Sequence, residues 1–404
     1  MTITAARFSD LVSLARKINM TVYFSLIVVL AEYPASAAAA LPIGYKSGSQ
    51  IEIDYSDWNR ILQSVVMVTG GSDRRPADKV KSTVSRIPHA NPNVTRIEGN
   101  RVFYHEFSPE HTTTLVALRR SLEAVSEEIS LTDLSRSQQL AYWLNLHNVA
   151  VMAAIAEQYP IKYLRQLIEG TNATWDDKTM WVAGENISIR DIENHVIENW
   201  NDPLVLYGFY MGAVGGPNVL DIAFTGNNVR DLLIENAEEF VNSLRGVRFW
   251  GGHAKISKLY AMGARYFLEF DSDVKAHLMR FAKPQLKQKI SEFNVFRAAS
   301  FDWYIADLLN GDTYQGSSHR VSVSYGPEGG IDGVNSGAFG AGSNAAFAHM
   351  PPHVRDLLIG IKKRNLRRQG RVKVEEVDHG TSAKNADAEQ PESEQHDVEL
   401  SIYW

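Results

Sequence analysis

The chain of 404 residues contains no cysteine. It therefore cannot form a disulfide, it offers no thiolate nucleophile, and any zinc site would depend on histidine and carboxylate ligands. An excess of positive charge is also absent, since 41 Lys and Arg face 47 Asp and Glu and the formal net charge is -6. Proteins that coat nucleic acid are usually basic, so this balance argues against a nucleic-acid partner.

Common catalytic motifs are absent as well. The sequence has no H-E-x-x-H zinc motif, no G-x-S-x-G serine motif and no phosphate-binding P-loop. His105 and His111 lie on either side of Ser108-Pro109, but no obvious third metal ligand accompanies them. We therefore predict no metal and no cofactor. Enzymatic activity stays open, although the sequence favours its absence.

The first 40 residues have the layout of a secretory signal peptide. Three basic residues face one acid within residues 1–19, an apolar run follows from Met20 to Ala31, and Ala35-Ser36-Ala37 provides an A-x-A cleavage site. The apolar run is shorter than the roughly 20 residues that a membrane span needs, and no later segment is apolar enough to span. We predict a periplasmic or secreted protein, with an uncleaved membrane anchor as the alternative.

Residues 41–310 are predicted to form one globular, helix-rich α+β domain. The clearest helix runs from about Ser135 to Gln158, where apolar residues recur at steps of three and four over a wide stripe, so we expect it at the centre of the core. Ser135 and Gln138 can form a capping box at its start. Further helices are predicted near 61–66, 109–129, 188–197, 228–244, 275–282 and 285–290, and short strands near 101–104, 181–183, 185–188, 247–250 and 254–257. This irregular order favours an α+β fold over a doubly wound sheet.

The composition of the chain changes after about residue 311. Residues 311–350 are rich in Gly, Ser and Asn and are predicted to be a flexible linker. Residues 351–374 are predicted to contain a short amphipathic helix and then a basic run, and residues 375–404 an acidic disordered tail. The basic run can contact an anionic surface, or it can be a solvated segment balanced by the acidic tail. Its main cations are Lys362, Lys363, Arg364, Arg367 and Arg368.

Four sequence blocks occur in an order that is typical of one known family. The blocks are QLAYWLNLHN at 139–148, ISIRDIE at 187–193, a third block from Asp202-Pro203 through GGPN at 215–218 to AFTG at 223–226, and FDW at 301–303. With this order from residue 139 to residue 303, the chain resembles the bacterial Domain of Unknown Function 547 family. The resemblance implies a domain that is often exported and whose biochemistry is poorly defined, so it does not supply a function.

The chain departs from the pattern of this family at two positions. Family members usually have a cysteine where this chain has Gly216, and they commonly have a histidine where it has Leu206. A cysteine and a nearby histidine are natural candidates for a nucleophile and its base. If the family uses that pair, this chain is inactive by that route. A glycine between Gly215 and Pro217 also favours a plain turn.

Polar residues of the four blocks are the candidate site. We predict a binding site formed by Asn145, His147, Asn148, Glu193, Gly216 and Asn218. The alternative is structural, because polar groups on an apolar helix need hydrogen-bond partners when they are buried. Glu193 is the best candidate for a catalytic base, and an ion pair with an arginine in the core would explain it equally well. Asp191 and His195 are its neighbours, but residues two apart on a helix do not share a face.

Three functions are compatible with these features. The first is an exported, non-catalytic binding or scaffold protein of the cell envelope, which holds an envelope ligand or protein partner in the pocket around Asn145, Asn148 and Glu193. The second is a hydrolase or transferase that acts on an envelope or extracellular polymer with a carboxylate base. The third is a structural protein that acts through its charged tails.

Overall fold

The computed structural model describes residues 41–77, 93–311 and 357–358. The predicted signal peptide, basic run and acidic tail lie outside these residues, as does nearly all of the predicted linker. The described helices are α1 (Ser56–Val65), α2 (Pro109–Glu128), α3 (Arg136–Gln158), α4 (Arg165–Glu169), α5 (Ile189–Asn199), α6 (Val229–Val241), α7 (Leu259–Met262), α8 (Phe270–Phe281) and α9 (Pro284–Ser291). The described strands are β1 (Val66–Met67), β2 (Arg101–Val102), β3 (Met180–Val182), β4 (Glu185–Ile187), β5 (Val247–Trp250), β6 (His253–Ser257) and β7 (Phe296–Ser300).

Helix α3 is the central element of the core. It contains 23 residues, and its buried residues run from Gln138 to Ala153 without interruption. Helices α2, α5 and α6 all pack against it, which explains why its apolar stripe extends almost around the helix. The side chain of Ser135 caps the helix by accepting a hydrogen bond from the backbone N–H of Gln138. The return bond of the predicted capping box is not formed in the described structure, because Oε1 of Gln138 has no hydrogen-bond partner.

Three small sheets accompany the helices, and the helix-rich α+β class is confirmed. Strands β1 and β2 pair over two residues, β3 and β4 form a hairpin, and β5, β6 and β7 form a mixed three-stranded sheet. The strands predicted near 181–183 and 185–188 are the two arms of the β3–β4 hairpin, whose turn has Ala183 at φ 53° and Gly184 at φ 83°. Two positive φ angles in a row match the right-handed twist of the strands that the turn connects.

The structure differs from the sequence-based prediction in three strands. Strand β1 was not predicted, because Val66 belongs to the apolar pattern of the helix predicted near 61–66, which ends at Val65. Residues 101–104 were expected to form one strand, but the strand ends at Val102 and a single turn of 3-10 helix begins at Tyr104. Strand β7 was not predicted, because its sequence, Phe-Arg-Ala-Ala-Ser, has no apolar alternation and lies next to helical segments. It is held by parallel pairing with β6, which is a non-local contact.

The segment at 203–211 packs against α6. A 3-10 helix spans Pro203–Gly208, and Leu206 within it is fully buried. Leu357 packs with Met67 and Phe103 in a small hydrophobic cluster, and Leu357 and Leu358 are helical. The rest of the helix predicted after residue 351 lies outside the described residues. Within the described part of the chain, no helix is both long and apolar enough to cross a membrane.

Candidate functional site

Asn145 joins α3 to the loop that contains the AFTG block. Its Nδ2 donates to the carbonyl oxygen of Phe224 at 2.7 Å, and its Oδ1 accepts from the backbone N–H of Phe224 at 3.1 Å. Both groups of the amide side chain are therefore satisfied by one backbone residue. The contact fixes the position of the loop relative to the core, because Asn145 is itself only 1% exposed.

Asn148 lies one turn further along the same side of α3 and holds the 203–211 segment in the same way. Its Nδ2 donates to the carbonyl oxygen of Gly208 at 3.0 Å, and its Oδ1 accepts from the backbone N–H of Tyr210 at 3.0 Å. The spacing of three residues places Asn145 and Asn148 on one face of the helix. The two amide side chains thus provide hydrogen-bond partners for backbone N–H and C=O groups that have no regular backbone pairing in these irregular segments.

Gly216 and Asn218 lie in a turn that is connected to α6 and to the residues that follow it. Nη1 of Arg245 donates to the carbonyl oxygen of Gly216 at 2.9 Å and to Oδ1 of Asn218 at 3.1 Å. Arg245 also pairs with Glu239, which accepts a hydrogen bond from Nδ2 of Asn218. A Cβ at position 216 would lie 2.9 Å from Cβ of Met211. A side chain there would force a neighbour to move, so glycine fits the turn.

The three asparagines converge on one small cavity. Asn145, Asn148 and Asn218 line it together with apolar residues that include Trp58 and Phe224. Its volume is about 10 Å³, and a cavity needs about 10–15 Å³ to hold one water molecule. The structure therefore brings half of the predicted site together, but around a space too small for any ligand larger than a water.

His147 and Glu193 lie between α3 and α5, and they are connected to the asparagines because Nδ1 of His147 lies 2.9 Å from Oδ1 of Asn148. Nε2 of His147 lies 3.2 Å from Oε1 of Glu193, and Nη1 of Arg190 donates to Oε2 of Glu193 at 2.8 Å. The side chains of His147 and Glu193 are 0% and 1% exposed. Arg190 continues to the carbonyl oxygen of Ile168 and to Asp176. Both carboxylate oxygens are therefore occupied within the protein.

The neighbours of Glu193 have separate structural roles. Asp191 forms a reciprocal capping box with Ser188 at the start of α5. The ring of His195 packs against Trp143 at a centroid distance of 4.7 Å. Burial lowers the pKa of His195 to about 4, so this histidine is neutral at pH 7. The three side chains do not form a catalytic group.

An open cleft of about 410 Å³ lies between the start of α1 and the AFTG loop. One wall comes from residues 52–59 and the other from residues 222–228. Asn59 connects the walls, since its Oδ1 accepts from the backbone N–H of Ala223 at 3.0 Å. Exposed carboxylates of Glu52 and Asp54 lie along the first wall. We call this opening the polar cleft.

The polar cleft was not predicted from the sequence. Its first wall precedes the family blocks, and its carboxylates and hydroxyls have the composition of an ordinary exposed loop. Ile222 lines both the polar cleft and the small cavity of the three asparagines. The cavity of the three asparagines therefore adjoins the cleft, and Asn145 positions the loop that forms the second wall of the cleft. The one part of the cleft that the sequence analysis singled out is the AFTG block, at the end of the third family block.

His105 is a partly buried titratable residue outside the set of six candidate residues. His105 contacts Asp307 at 3.3 Å and Glu106 at 3.4 Å. Burial alone would lower the pKa of His105, but the hydrogen bonds to Asp307 and Glu106 outweigh it and raise the pKa to about 9. Over residues 41–77 and 93–311, no three metal-binding side chains lie close enough together to hold a metal ion.

Fold and site together define a helix-rich α+β domain in which a buried polar framework supports an open polar cleft. Residues 131–241 match the model of the family described as Protein of unknown function, DUF547. The resemblance is thereby confirmed for this stretch. The stretch contains all six candidate residues, whereas the FDW block at 301–303 lies outside it. Searches of curated proteins and of solved structures find no match to the chain.

Proposed function

We propose that this protein is an exported, non-catalytic binding protein of the cell envelope that holds its ligand in the polar cleft. One observation carries the proposal. Glu193, the best candidate base of the family blocks, is 1% exposed and has both oxygens engaged by His147 and Arg190. A general base must lie within hydrogen-bond reach of its substrate. Burial of this carboxylate argues against the hydrolase or transferase alternative.

The chemistry of the polar cleft indicates the class of ligand. The rim of the first wall carries the exposed carboxylates of Glu52 and Asp54. Glu52 accepts one hydrogen bond from Asn227, and Asp54 accepts from Ser56, but an ionised carboxylate has about four acceptor sites, so both exposed groups keep acceptor capacity. A ligand that carries hydroxyl and amino groups complements these acceptors. Soluble peptidoglycan fragments have both groups and would be met by an envelope protein. Export itself rests on the predicted signal peptide at residues 1–40.

The experiment is a thermal-shift titration of the full chain with a series of soluble peptidoglycan fragments. At about 100 times its dissociation constant, a ligand stabilises the folded state by about 2.7 kcal/mol, which corresponds to roughly 5 °C for a domain of this size. The shift should be lost in the Glu52→Gln/Asp54→Asn double variant. It should persist in Glu157→Gln, which changes an exposed acid at the end of α3, outside the cleft. No shift with any fragment, or an equal shift in the double variant, would refute the proposal.

A further inference from the structure

The three-stranded sheet carries a row of three positive charges on one face. Arg248 of β5 is the register partner of Lys255 of β6, and Lys255 is the register partner of Arg297 of β7. Register partners project to the same side of a sheet, and neighbouring strands lie about 4.8 Å apart, so the three side chains start within about 10 Å of each other. The alternating residues Val247, Ala254, Ile256 and Phe296 are buried, so the opposite face packs on the core. We call the first side the cationic face.

An exposed tryptophan lies in the next row of the cationic face. Trp250 is the register partner of His253 at the end of the β5–β6 hairpin, two residues beyond Arg248. The indole is 74% exposed, and His253 is exposed as well. Most of the apolar surface of this indole remains in contact with water, so it contributes little hydrophobic stabilisation to the fold. A flat aromatic surface therefore lies beside a row of cations.

The three cations have no acidic partner in the described structure. Arg248, Lys255 and Arg297 form no ion pair over residues 41–77 and 93–311, and Nε of Arg248 is buried without a hydrogen-bond partner. Like charges directly opposite each other on neighbouring strands destabilise a sheet. A bound polyanion would remove this repulsion. The arrangement is costly for the fold alone and favourable for a complex.

The geometry points to the cationic face as a binding site for an acidic polysaccharide, separate from the polar cleft. Guanidinium and ammonium groups pair with the carboxylates or sulfates of such a polymer, and the exposed ring of Trp250 offers a stacking surface for the apolar side of a sugar. The formal net charge of -6 opposes association with the more densely charged nucleic acids. A polymer with one charge on each sugar fits a row of three cations and one aromatic ring.

The test is a calorimetric titration of the full chain with an oligogalacturonate of defined length. The basic run can also bind polyanions, so Lys362, Lys363, Arg364, Arg367 and Arg368 are changed to glutamine in every protein compared. In that background, Lys255→Gln/Arg297→Gln should weaken binding about tenfold, and Trp250→Ala should weaken it several-fold. The matched control is Arg120→Gln/Arg265→Gln, which removes two exposed charges outside the sheet and should leave affinity unchanged.

The outcomes separate the polysaccharide from other polyanions. Binding of the oligogalacturonate should weaken as salt is raised, because the contacts are exposed charge pairs, and a neutral oligosaccharide of the same length should not bind. Equal affinity in the sheet variant and its control would overturn the assignment. It would also be overturned if a single-stranded oligonucleotide or anionic vesicles bound the same face more tightly than the oligogalacturonate.

Discussion

Nε2 of His147 lies 3.2 Å from Oε1 of Glu193, and this contact joins α3 to α5 inside the core. Arg190 binds the other carboxylate oxygen at 2.8 Å. Two of the six predicted site residues thus contact each other, and the network continues to a third, since Nδ1 of His147 lies 2.9 Å from Oδ1 of Asn148. The arrangement has the properties of a structural ion pair, because neither His147 nor Glu193 is open to a ligand.

The first prediction concerns the stability of this network. Glu193→Gln should lower the free energy of unfolding by about 2–3 kcal/mol, because breaking a buried pair leaves a charged partner without compensation. Urea denaturation measures the change. Glu157→Gln, at an exposed position of α3, is the control and should change stability by less than about 0.5 kcal/mol. Wild-type stability of Glu193→Gln would show that the carboxylate is not structural and would reopen its catalytic interpretation.

The second prediction concerns the connection between Asn145 and the AFTG loop. Asn145→Ala should cost about 2–3 kcal/mol, since it leaves the buried N–H and C=O of Phe224 without partners. The variant should also bind cleft ligands less tightly than its stability loss alone explains, because the second wall of the cleft loses its support. Asn172→Ala, at an exposed position, serves as the control for both measurements. A ligand affinity equal to that of the wild type would separate the asparagine from the cleft.

The third prediction concerns pH. The pKa of His105 is raised to about 9 in the folded protein, compared with about 6.5 in the unfolded chain. The folded state therefore holds this proton more tightly, and the stabilisation is complete below about pH 6.5 and is lost as the pH rises through about 9. The difference in unfolding free energy between wild type and His105→Gln should be larger at about pH 6 than at about pH 9.5. A difference that does not change with pH would contradict the His105–Asp307 contact.

Much of the fold could be predicted from the sequence because it depends on local signals. The stripe of apolar residues and the Ser135 cap predict α3, and Gly184 between the short runs at 181–183 and 185–188 predicts the β3–β4 pair. Strand β7 depends on parallel pairing with β6, which lies some forty residues earlier in the chain. No local pattern encodes such a contact, so it was missed.

The site was predictable only in part for the same reason. The sequence marked Asn145, Asn148 and Asn218 as unusual polar residues, and the structure places all three at one cavity. The sequence did not show that Glu193 lies away from this cavity, because the hydrogen-bond partners of each side chain come from distant segments of the chain. The first wall of the polar cleft, at residues 52–59, has no sequence feature that connects it to residues 222–228. Tertiary structure alone brings the two walls together.

The location of the ligand tests the central claim most directly. Hydrogen–deuterium exchange of the full chain should be measured with and without the peptidoglycan fragment that gives the largest thermal shift. Our account predicts added protection at residues 52–59 and 222–228, and no change specific to α5 around Glu193. Protection centred on residues 189–199, with none at the two walls of the cleft, would contradict it.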